Sequence, residues 1–203
     1  QLDIWMREDG VRVDSLILTV NPQFDPNVSL DDDKYELICN GSDVTFSSDL
    51  TFTQDQGLMI IEAEDYSECW FGSMQSEESV WDLKSEVTGF TGLGYMVANP
   101  DVKIKTGDST DGPHLTYNLS LSEIGTHHIW IRMSAPDGGG DSIHVGLNDI
   151  PVTYGGVGLS TSPNGEWNWE YVAINITSTG LNQLDIWMRE DGVRVDSMVL
   201  TID

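Results

Sequence analysis

From Leu58 to the end of the chain, apolar and polar residues alternate in short runs separated by Gly, Pro, Asn and Asp. The runs read LMIIEAEDY, GYMVAN, LTYNLSL, HHIWIRMSA, DSIHVGLND, WEYVAIN, LDIWMRE and VRVDSMVLT. Alternation with a period of two residues is typical of β-strands that bury one face, and no long stretch has the period of a helix. The pattern therefore predicts an all-β domain, a β-sandwich of about 8–10 antiparallel strands.

The two ends of the chain carry an internal repeat. Residues 1–20 read QLDIWMREDGVRVDSLILTV, and residues 183–202 repeat them with three differences. Each copy alternates apolar and polar residues around an Asp-Gly pair, which predicts a β-hairpin. The second copy closes a run of strands and the first has none before it, so we interpret residues 1–20 as the C-terminal hairpin of a preceding homologous repeat.

The repeat divides the chain into three parts. After the partial hairpin at 1–20, residues 21–56 are acidic and rich in Pro, Asn and Ser, which favours a linker or loosely attached strands. Residues 57–203 form the predicted sandwich. Neighbouring homologous repeats of the same polypeptide or filament are expected partners.

Charge and cysteine content narrow the functional classes. The chain has 34 Asp and Glu against 9 Lys and Arg, a formal net charge of −25. Such a surface repels phosphate backbones and anionic lipid headgroups, so nucleic acid and membrane are poor partners. The two cysteines, Cys39 and Cys69, allow one disulfide, which would fit an oxidising compartment. We expect an extracellular or cell-surface protein.

Three carboxylates are candidate metal ligands. Glu62 and Glu64 alternate along the first predicted strand and therefore point to the same side. Carboxylates so placed repel each other unless a cation lies between them, and Ca²⁺ prefers oxygen ligands. Asp196, among apolar residues of the last strand, is a candidate third ligand. A solvated acidic strand end is an equally good interpretation of this spacing alone.

Several segments, taken in order, resemble carbohydrate-binding modules of families 6 and 35, which are appended to glycoside hydrolases. They are EAEDY, GFTGLGYM at 89–96, HIWIRMSAP at 128–136, GEWNWEYV at 165–172 and LDIWMREDGVRVDSMVLT at 184–201. The resemblance implies a jelly-roll sandwich in which a structural Ca²⁺ joins the first and last strands. It assigns the metal ligands to Glu62, Glu64 and Asp196, with a backbone carbonyl between about Ser85 and Gly89.

The same resemblance implies a sugar site in the loops at one edge. Tyr95 matches the aromatic residue of the Gly-rich loop, and Trp167 or Trp169 matches the tryptophan that faces it. Pyranose rings pack their C–H faces on aromatic rings, and nearby polar groups take the hydroxyls. We expect Trp167 to be the exposed tryptophan, because it is nearer the loop SPNGE; packing of all three aromatics in the core is the alternative. Polar contacts are expected from the last hairpin, at Arg189, Glu190, Asp191 and Arg194.

Two functions follow from these observations. The first is a non-catalytic, Ca²⁺-stabilised carbohydrate-binding module in a secreted tandem-repeat protein, which holds the parent chain on a polysaccharide or other glycan. The second is a structural repeat domain of an extracellular adhesin or filament, which Ca²⁺ makes rigid. We do not expect an enzyme, because the sequence singles out no carboxylate pair for glycoside cleavage.

Overall fold

Thirteen β-strands and no helix make up the part of the chain that this computed structural model describes, residues 50–70, 79–153 and 157–202. These residues all belong to one compact unit. The strands are β1 Thr51–Thr53, β2 Leu58–Glu62, β3 Glu68–Trp70, β4 Val80–Lys84, β5 Tyr95–Asn99, β6 His114–Leu121, β7 Gly125–Ser134, β8 Ser142–Leu147, β9 Ile150–Pro151, β10 Leu159–Ser160, β11 Asn168–Ile176, β12 Gly180–Met188 and β13 Arg194–Ile202.

The strands form two sheets. The seven-stranded sheet has the order β1-β6-β12-β8-β10, with β3 also paired to β6 and β9 to β8. The six-stranded sheet has the order β11-β7-β13-β5-β4, with β2 also paired to β13. The first and last long strands of the predicted domain, β2 and β13, are thus neighbours in one sheet. Among the described strands, all pairings are antiparallel except that of β1 with β6.

Alternation along the strands builds the core between the sheets. In β2 the side chains of Met59 and Ile61 are buried while those of Leu58 and Ile60 are exposed. The largest fully buried side chains include Trp81. Because successive side chains of a strand point to opposite faces, each long strand sends one set of residues into this core and the other outward.

The prediction of an all-β sandwich is confirmed. The structure has more strands than expected because β1, β3, β9 and β10 are only two or three residues long. Backbone pairing of such short segments leaves no alternating pattern in the sequence. The parallel pairing of β1 was also not predicted, and it takes residues 51–53, within the predicted linker, into a sheet.

Much of the predicted domain organisation lies outside the described residues. The hairpin copy at 1–20 and residues 21–49 of the predicted linker lie outside the described residues. The division of the chain into three parts therefore stays a prediction. Across residues 50–70, 79–153 and 157–202 there is no helix long and apolar enough to cross a membrane.

Candidate functional site

The loop that precedes β5 brings together the three carboxylates predicted as metal ligands. Thr91 Oγ1 donates to Glu62 Oε2 at 2.7 Å and lies 3.3 Å from Asp196 Oδ2. The backbone amide of Thr91 donates to Asp196 Oδ1 at 2.8 Å, and that of Leu93 donates to Glu64 Oε1 at 2.5 Å. The end of β2 and the start of β13 are therefore joined through one loop, with none of these carboxylates splayed into solvent.

Gly92 allows this loop to approach the carboxylates. Its φ of 62° lies in the left-handed region, which favours glycine. A Cβ at this position would overlap Glu64 Oε1 and would lie 3.3 Å from Glu62 Cδ. The loop geometry therefore depends on the missing side chain of Gly92.

A β-bulge directs Asp196 toward the same loop. The two residues that flank Asp196 in β13 pair with consecutive residues of β7, which leaves Asp196 as the extra residue. Arg132 Nη1 lies 2.5 Å from Asp196 Oδ2 and donates to the Gly89 carbonyl at 2.8 Å. The neighbouring Thr88 carbonyl accepts a hydrogen bond from Trp167 Nε1. Two of the carbonyls predicted to complete a metal shell are thus already hydrogen-bonded.

Glu64 is the least satisfied of the three carboxylates. Its side chain is buried, and Oε2 has no hydrogen-bond partner. Burial raises the pKa of Glu64, and the negative charges of Glu62 and Asp65 raise it further, against the lowering effect of backbone hydrogen bonds. In the described part of the chain, no lysine or arginine forms an ion pair with Glu62 or Glu64. The electrostatic demand for a cation is therefore greatest here.

The predicted facing platforms, Tyr95 and Trp167, contact each other instead of standing apart. Tyr95 is only 3% exposed, and its ring centroid lies 5.4 Å from that of Trp167 in an edge arrangement. Rings at this distance are in direct contact and leave no space for a sugar ring between them. Phe90 packs on Tyr95 from 6.1 Å, and burial raises the pKa of the Tyr95 hydroxyl. The burial of Tyr95 agrees with the alternative of core packing for this ring, and a sugar contact from Tyr95 or Trp167 stays a prediction.

The expectation that Trp167 is the exposed tryptophan is wrong, because Trp169 is the more exposed of the two. Trp167 is half-buried, and its Nε1 donates a hydrogen bond to the Thr88 carbonyl. The Arg132 guanidinium lies 5.3 Å from the centroid of its ring. Trp169 is 45% exposed in β11. Nearness to the polar loop at 162–166 did not predict exposure, since a different loop, the one before β5, packs on Trp167.

Trp169 begins a row of aromatic side chains on the outer face of the six-stranded sheet. Tyr171, two residues further along β11, shares this face and is 52% exposed. Its ring centroid lies 4.6 Å from that of Trp130 and 5.2 Å from that of His128, both in β7. The alternation of β11 therefore presents an aromatic surface to solvent beside the predicted loop site.

The four polar residues predicted beside the last hairpin do not form one group. Arg189 and Glu190 are buried, form an ion pair, and share Ser142 as a hydrogen-bond partner. Asp191 is fully buried and accepts from the backbone amides of Val102 and Ile104, so it holds a loop.

Arg194 alone of that group points to the loop edge that was predicted to bind sugar. It is half-buried, and its positive charge acts on the Tyr95 hydroxyl. Its guanidinium lies 3.4 Å from Ser134 Oγ. A sugar contact from the last hairpin is therefore best proposed for Arg194, with the other three residues in structural roles.

A further cluster of metal-ligating residues was missed in the sequence. The ligand atoms of His114, Asp149 and Asp185 all lie within 4.8 Å of one another, which is not so for Glu62, Glu64 and Asp196. Burial raises the pKa of Asp185 to about 6 and lowers that of His114 to about 4. The available signal was the position of Asp185 between Leu184 and Ile186, where alternation turns a carboxylate away from the core.

Solved carbohydrate-binding modules have the same fold. The chain is 18% identical to a family 35 module from Paenibacillus barcinonensis, with a TM-score of 0.51 over 71% of this chain and 98% of that one. A family 35 module from Clostridium thermocellum gives 16% identity and a TM-score of 0.50 over 70% and 96% of the two chains. At this identity the likeness concerns the fold, and it confirms the resemblance expected from the sequence.

Two sequence comparisons extend this result. The chain is 20% identical over 191 residues to the uncharacterized protein P23 of Formosa agariphila, covering 76% of this chain and 46% of that protein. It thus spans about half the length of this curated relative. Residues 51–203 match the family described as the glycosyl hydrolase family 115 C-terminal domain, and because this match covers most of the sequence, the chain belongs to that family.

Proposed function

We propose that the chain is a non-catalytic, Ca²⁺-stabilised carbohydrate-binding module within a secreted tandem-repeat protein, and that it holds the parent chain on a polysaccharide. Membership of a family that forms the C-terminal domain of glycosyl hydrolases supports a role beside a catalytic domain. The three carboxylates that the sequence singled out, Glu62, Glu64 and Asp196, hold a loop by hydrogen bonds, which supports a structural rather than a catalytic role for them.

The observation that carries sugar binding is the exposed aromatic row of Trp169 and Tyr171 on one face of β11. Aromatic rings offer the flat apolar surface on which a pyranose ring packs, and polar neighbours orient its hydroxyls. Large apolar side chains grouped on a surface mark interaction sites more often than scattered ones do. In the strand register Trp169 pairs with Arg132, whose guanidinium also lies over the Trp167 ring, so Trp167 is close to one end of this surface.

A glycan array tests this function with the wild-type chain. The expected result is retention on at least one polysaccharide class, with no change in the glycan itself after incubation. Retention on no glycan would contradict sugar binding, and shortening of the bound glycan would contradict the non-catalytic role. A chain that is retained equally on every surface, including blank ones, would also contradict it.

The residues around Glu64 have the donor chemistry of the Ca²⁺ ion implied by the fold family, and their oxygens would move closer together to hold it. The donors are hard oxygen atoms, and the buried Glu64 Oε2 lacks any hydrogen-bond partner, which a cation would supply. Glu62, Glu64 and Asp196 would hold the ion. When bound, it would neutralise these carboxylates and tie β2 to β13, so its contribution is to stability rather than to chemistry.

Secretion is supported by the redox state of the chain. Cys69 is disulfide-bonded, and the other cysteine of the sequence, Cys39, lies outside the described residues. Disulfides persist in oxidising compartments such as the extracellular space. Export of the full-length protein with the bridge intact, measured by thiol labelling of culture medium and cells, tests this; a reduced intracellular protein would contradict it.

One observation favours a second function, a structural repeat domain of an extracellular adhesin or filament. Residues 1–20 and 183–202 differ at three positions, which is typical of adjacent repeats of one polypeptide. Linked copies also multiply weak sugar contacts by avidity, so the two functions are compatible. Electron microscopy of the native protein distinguishes them: long repeating assemblies without glycan retention would favour the structural role.

A further inference from the structure

We propose that His114, Asp149 and Asp185 form a binding site for a divalent transition-metal ion on the outer face of the seven-stranded sheet. Their ligand atoms all lie within 4.8 Å of one another. Zn²⁺ is bound in proteins by His nitrogen and Asp oxygen at about 2.0–2.2 Å, and sites with three protein ligands leave a fourth position open. One imidazole and two carboxylates supply such a set.

Strand pairing fixes two of the three ligands. In the register of β6 and β12, Thr116 pairs with Asp185 and His114 pairs with Trp187. Side chains of directly paired residues share a face, and diagonal neighbours on that face are within reach of long side chains. His114 and Asp185 are such a diagonal pair, so the regular part of the sheet holds them together.

The turn between β8 and β9 brings in the third ligand. Asn148 and Asp149 have φ values of 53° and 61°, which suit the two central positions of a tight hairpin turn. Asn148 exchanges hydrogen bonds with the backbone of Gln183 in β12, and the Asp149 amide donates to Asp185 Oδ2 at 2.8 Å. Hydrogen bonds thus hold the backbone of the turn against β12, and the exposed Asp149 presents its carboxylate beside Asp185 and His114.

Asp185 has the properties of a preorganised ligand. Its side chain is fully buried, and its two oxygens accept from Gln183 Nε2 at 2.7 Å and from the Asp149 amide. A carboxylate has about four lone-pair sites, so both oxygens keep capacity for a metal. Hydrogen bonds of this kind orient metal ligands in known sites. Among the described residues, no lysine or arginine pairs with Asp185 or Asp149.

The His114 imidazole is held by packing rather than by hydrogen bonds. Its ring stacks on Trp70 with centroids 6.2 Å apart, and on the other strand it contacts Trp187 at 5.4 Å. Within the described part of the chain neither ring nitrogen has a hydrogen-bond partner. Packing between the two indoles therefore fixes the His114 ring beside the two carboxylates, which preorganises it as a nitrogen donor of the cluster.

The donor set separates this site from the proposed Ca²⁺ site. Ca²⁺ prefers six to eight oxygen ligands, whereas imidazole suits Zn²⁺ and its neighbours in the transition series. The two sites also lie on different sheets, since Glu62 ends β2 and Asp196 is in β13. Saturation with Ca²⁺ should therefore leave the proposed transition-metal site open.

Titration calorimetry on the 203-residue chain, with Ca²⁺ present in excess, tests the proposal with Zn²⁺. One Zn²⁺ per chain is expected to bind the wild type. His114→Phe keeps a ring between the two indoles and should weaken Zn²⁺ binding by at least about tenfold, as should Asp185→Asn. The matched control is His128→Phe on the other sheet, which should bind as the wild type does.

Absence of Zn²⁺ binding by the wild type, or unchanged affinity of His114→Phe, would overturn the proposal. A second measurement does not depend on the variants. Cu²⁺ bound at His114 would lie beside Trp70 and Trp187 and should quench tryptophan fluorescence of the folded wild type at one equivalent. No quenching at that ratio would equally overturn it.

Discussion

Arg132 and Asp196 form an ion pair in which Nη1 lies 2.5 Å from Oδ2, and the Asp196 side chain is fully buried whereas that of Arg132 is 20% exposed. The pair joins β7 to the bulge of β13 and, through the Gly89 carbonyl, to the loop before β5. It therefore determines how the predicted carboxylate site is held.

Replacement of Arg132 by Met should destabilise the fold by about 3 kcal/mol, because it leaves a buried carboxylate without its cation. Urea unfolding measures this change. The control is Lys103→Met, which removes exposed pairs with Asp101 and Asp137 and should have little effect because solvent screens them. Equal losses in the two variants would contradict the structural role of Arg132.

Replacement of Gly92 by Ala should be more damaging than replacement of Gly165 by Ala. Both glycines have positive φ, 62° and 77°, so both variants incur backbone strain of about 1–2 kcal/mol. Only the Gly92 variant places a Cβ on a carboxylate, since nothing lies within 4 Å of a Cβ at Gly165. Comparison of unfolding free energies isolates the overlap with Glu64, and equal values would show that the loop does not pack as described.

Replacement of Glu64 by Gln should raise the melting temperature of the metal-free chain and abolish its response to Ca²⁺. The side chain keeps an oxygen to accept from the Leu93 amide, while the buried negative charge and its repulsion with Glu62 disappear. Melting curves with Ca²⁺ and with a chelator measure both effects. Glu123→Gln, at the turn between β6 and β7, is the control and should respond to Ca²⁺ as the wild type does.

If the wild type melts at the same temperature with Ca²⁺ and with chelator, the proposed ion is not bound. If Glu64→Gln keeps the full wild-type response, the ion is bound elsewhere. Either result would leave the aromatic surface and its sugar test unaffected.

His144 should make the fold less stable as the pH falls. Burial, and then the positive charge of Arg189, lower the pKa of His144 to about 4 from an ordinary value of 6.5. Its stabilising effect is therefore complete above pH 6.5, where the imidazole is neutral in both states, and is lost as the pH falls toward 4, where the unfolded chain binds more protons. The loss amounts to at most about 3 kcal/mol over this window.

Unfolding free energies at several pH values measure this effect. His144→Phe should lose less stability between pH 6.5 and 4 than the wild type does, at the cost of a hydrogen bond to Thr153. A wild-type slope in His144→Phe would show that His144 does not contribute to the loss of stability at low pH.

The sequence predicted the all-β fold because alternation records burial directly, as Met59 and Ile61 in β2 show. It also predicted that Glu62 and Glu64 share a side, and both contact the same loop. The contacts that the sequence did not reveal depend on how the strands pair in the sheets. The bulge at Asp196 and the ion pair with Arg132 arise from strand register, which no local pattern records.

The aromatic site was only partly predictable for the same reason. Trp167 and Trp169 are equivalent in an alternating pattern, and only the packing of the loop before β5 on Trp167 separates them. The cluster of His114, Asp149 and Asp185 joins two strands and a turn that are distant in sequence. Such neighbours become visible only once the pairing of β6, β12 and β8 is known.

The most direct test of the central claim is titration calorimetry with the glycan that the array selects. The wild type should bind it, and Trp169→Ala and Tyr171→Ala should each weaken binding by about tenfold or more. The control is Leu181→Ala, which changes an 80% exposed side chain on the other sheet and should bind as the wild type does. Wild-type affinity in both aromatic variants would contradict the account, because the exposed row on β11 would then not be the sugar-binding surface.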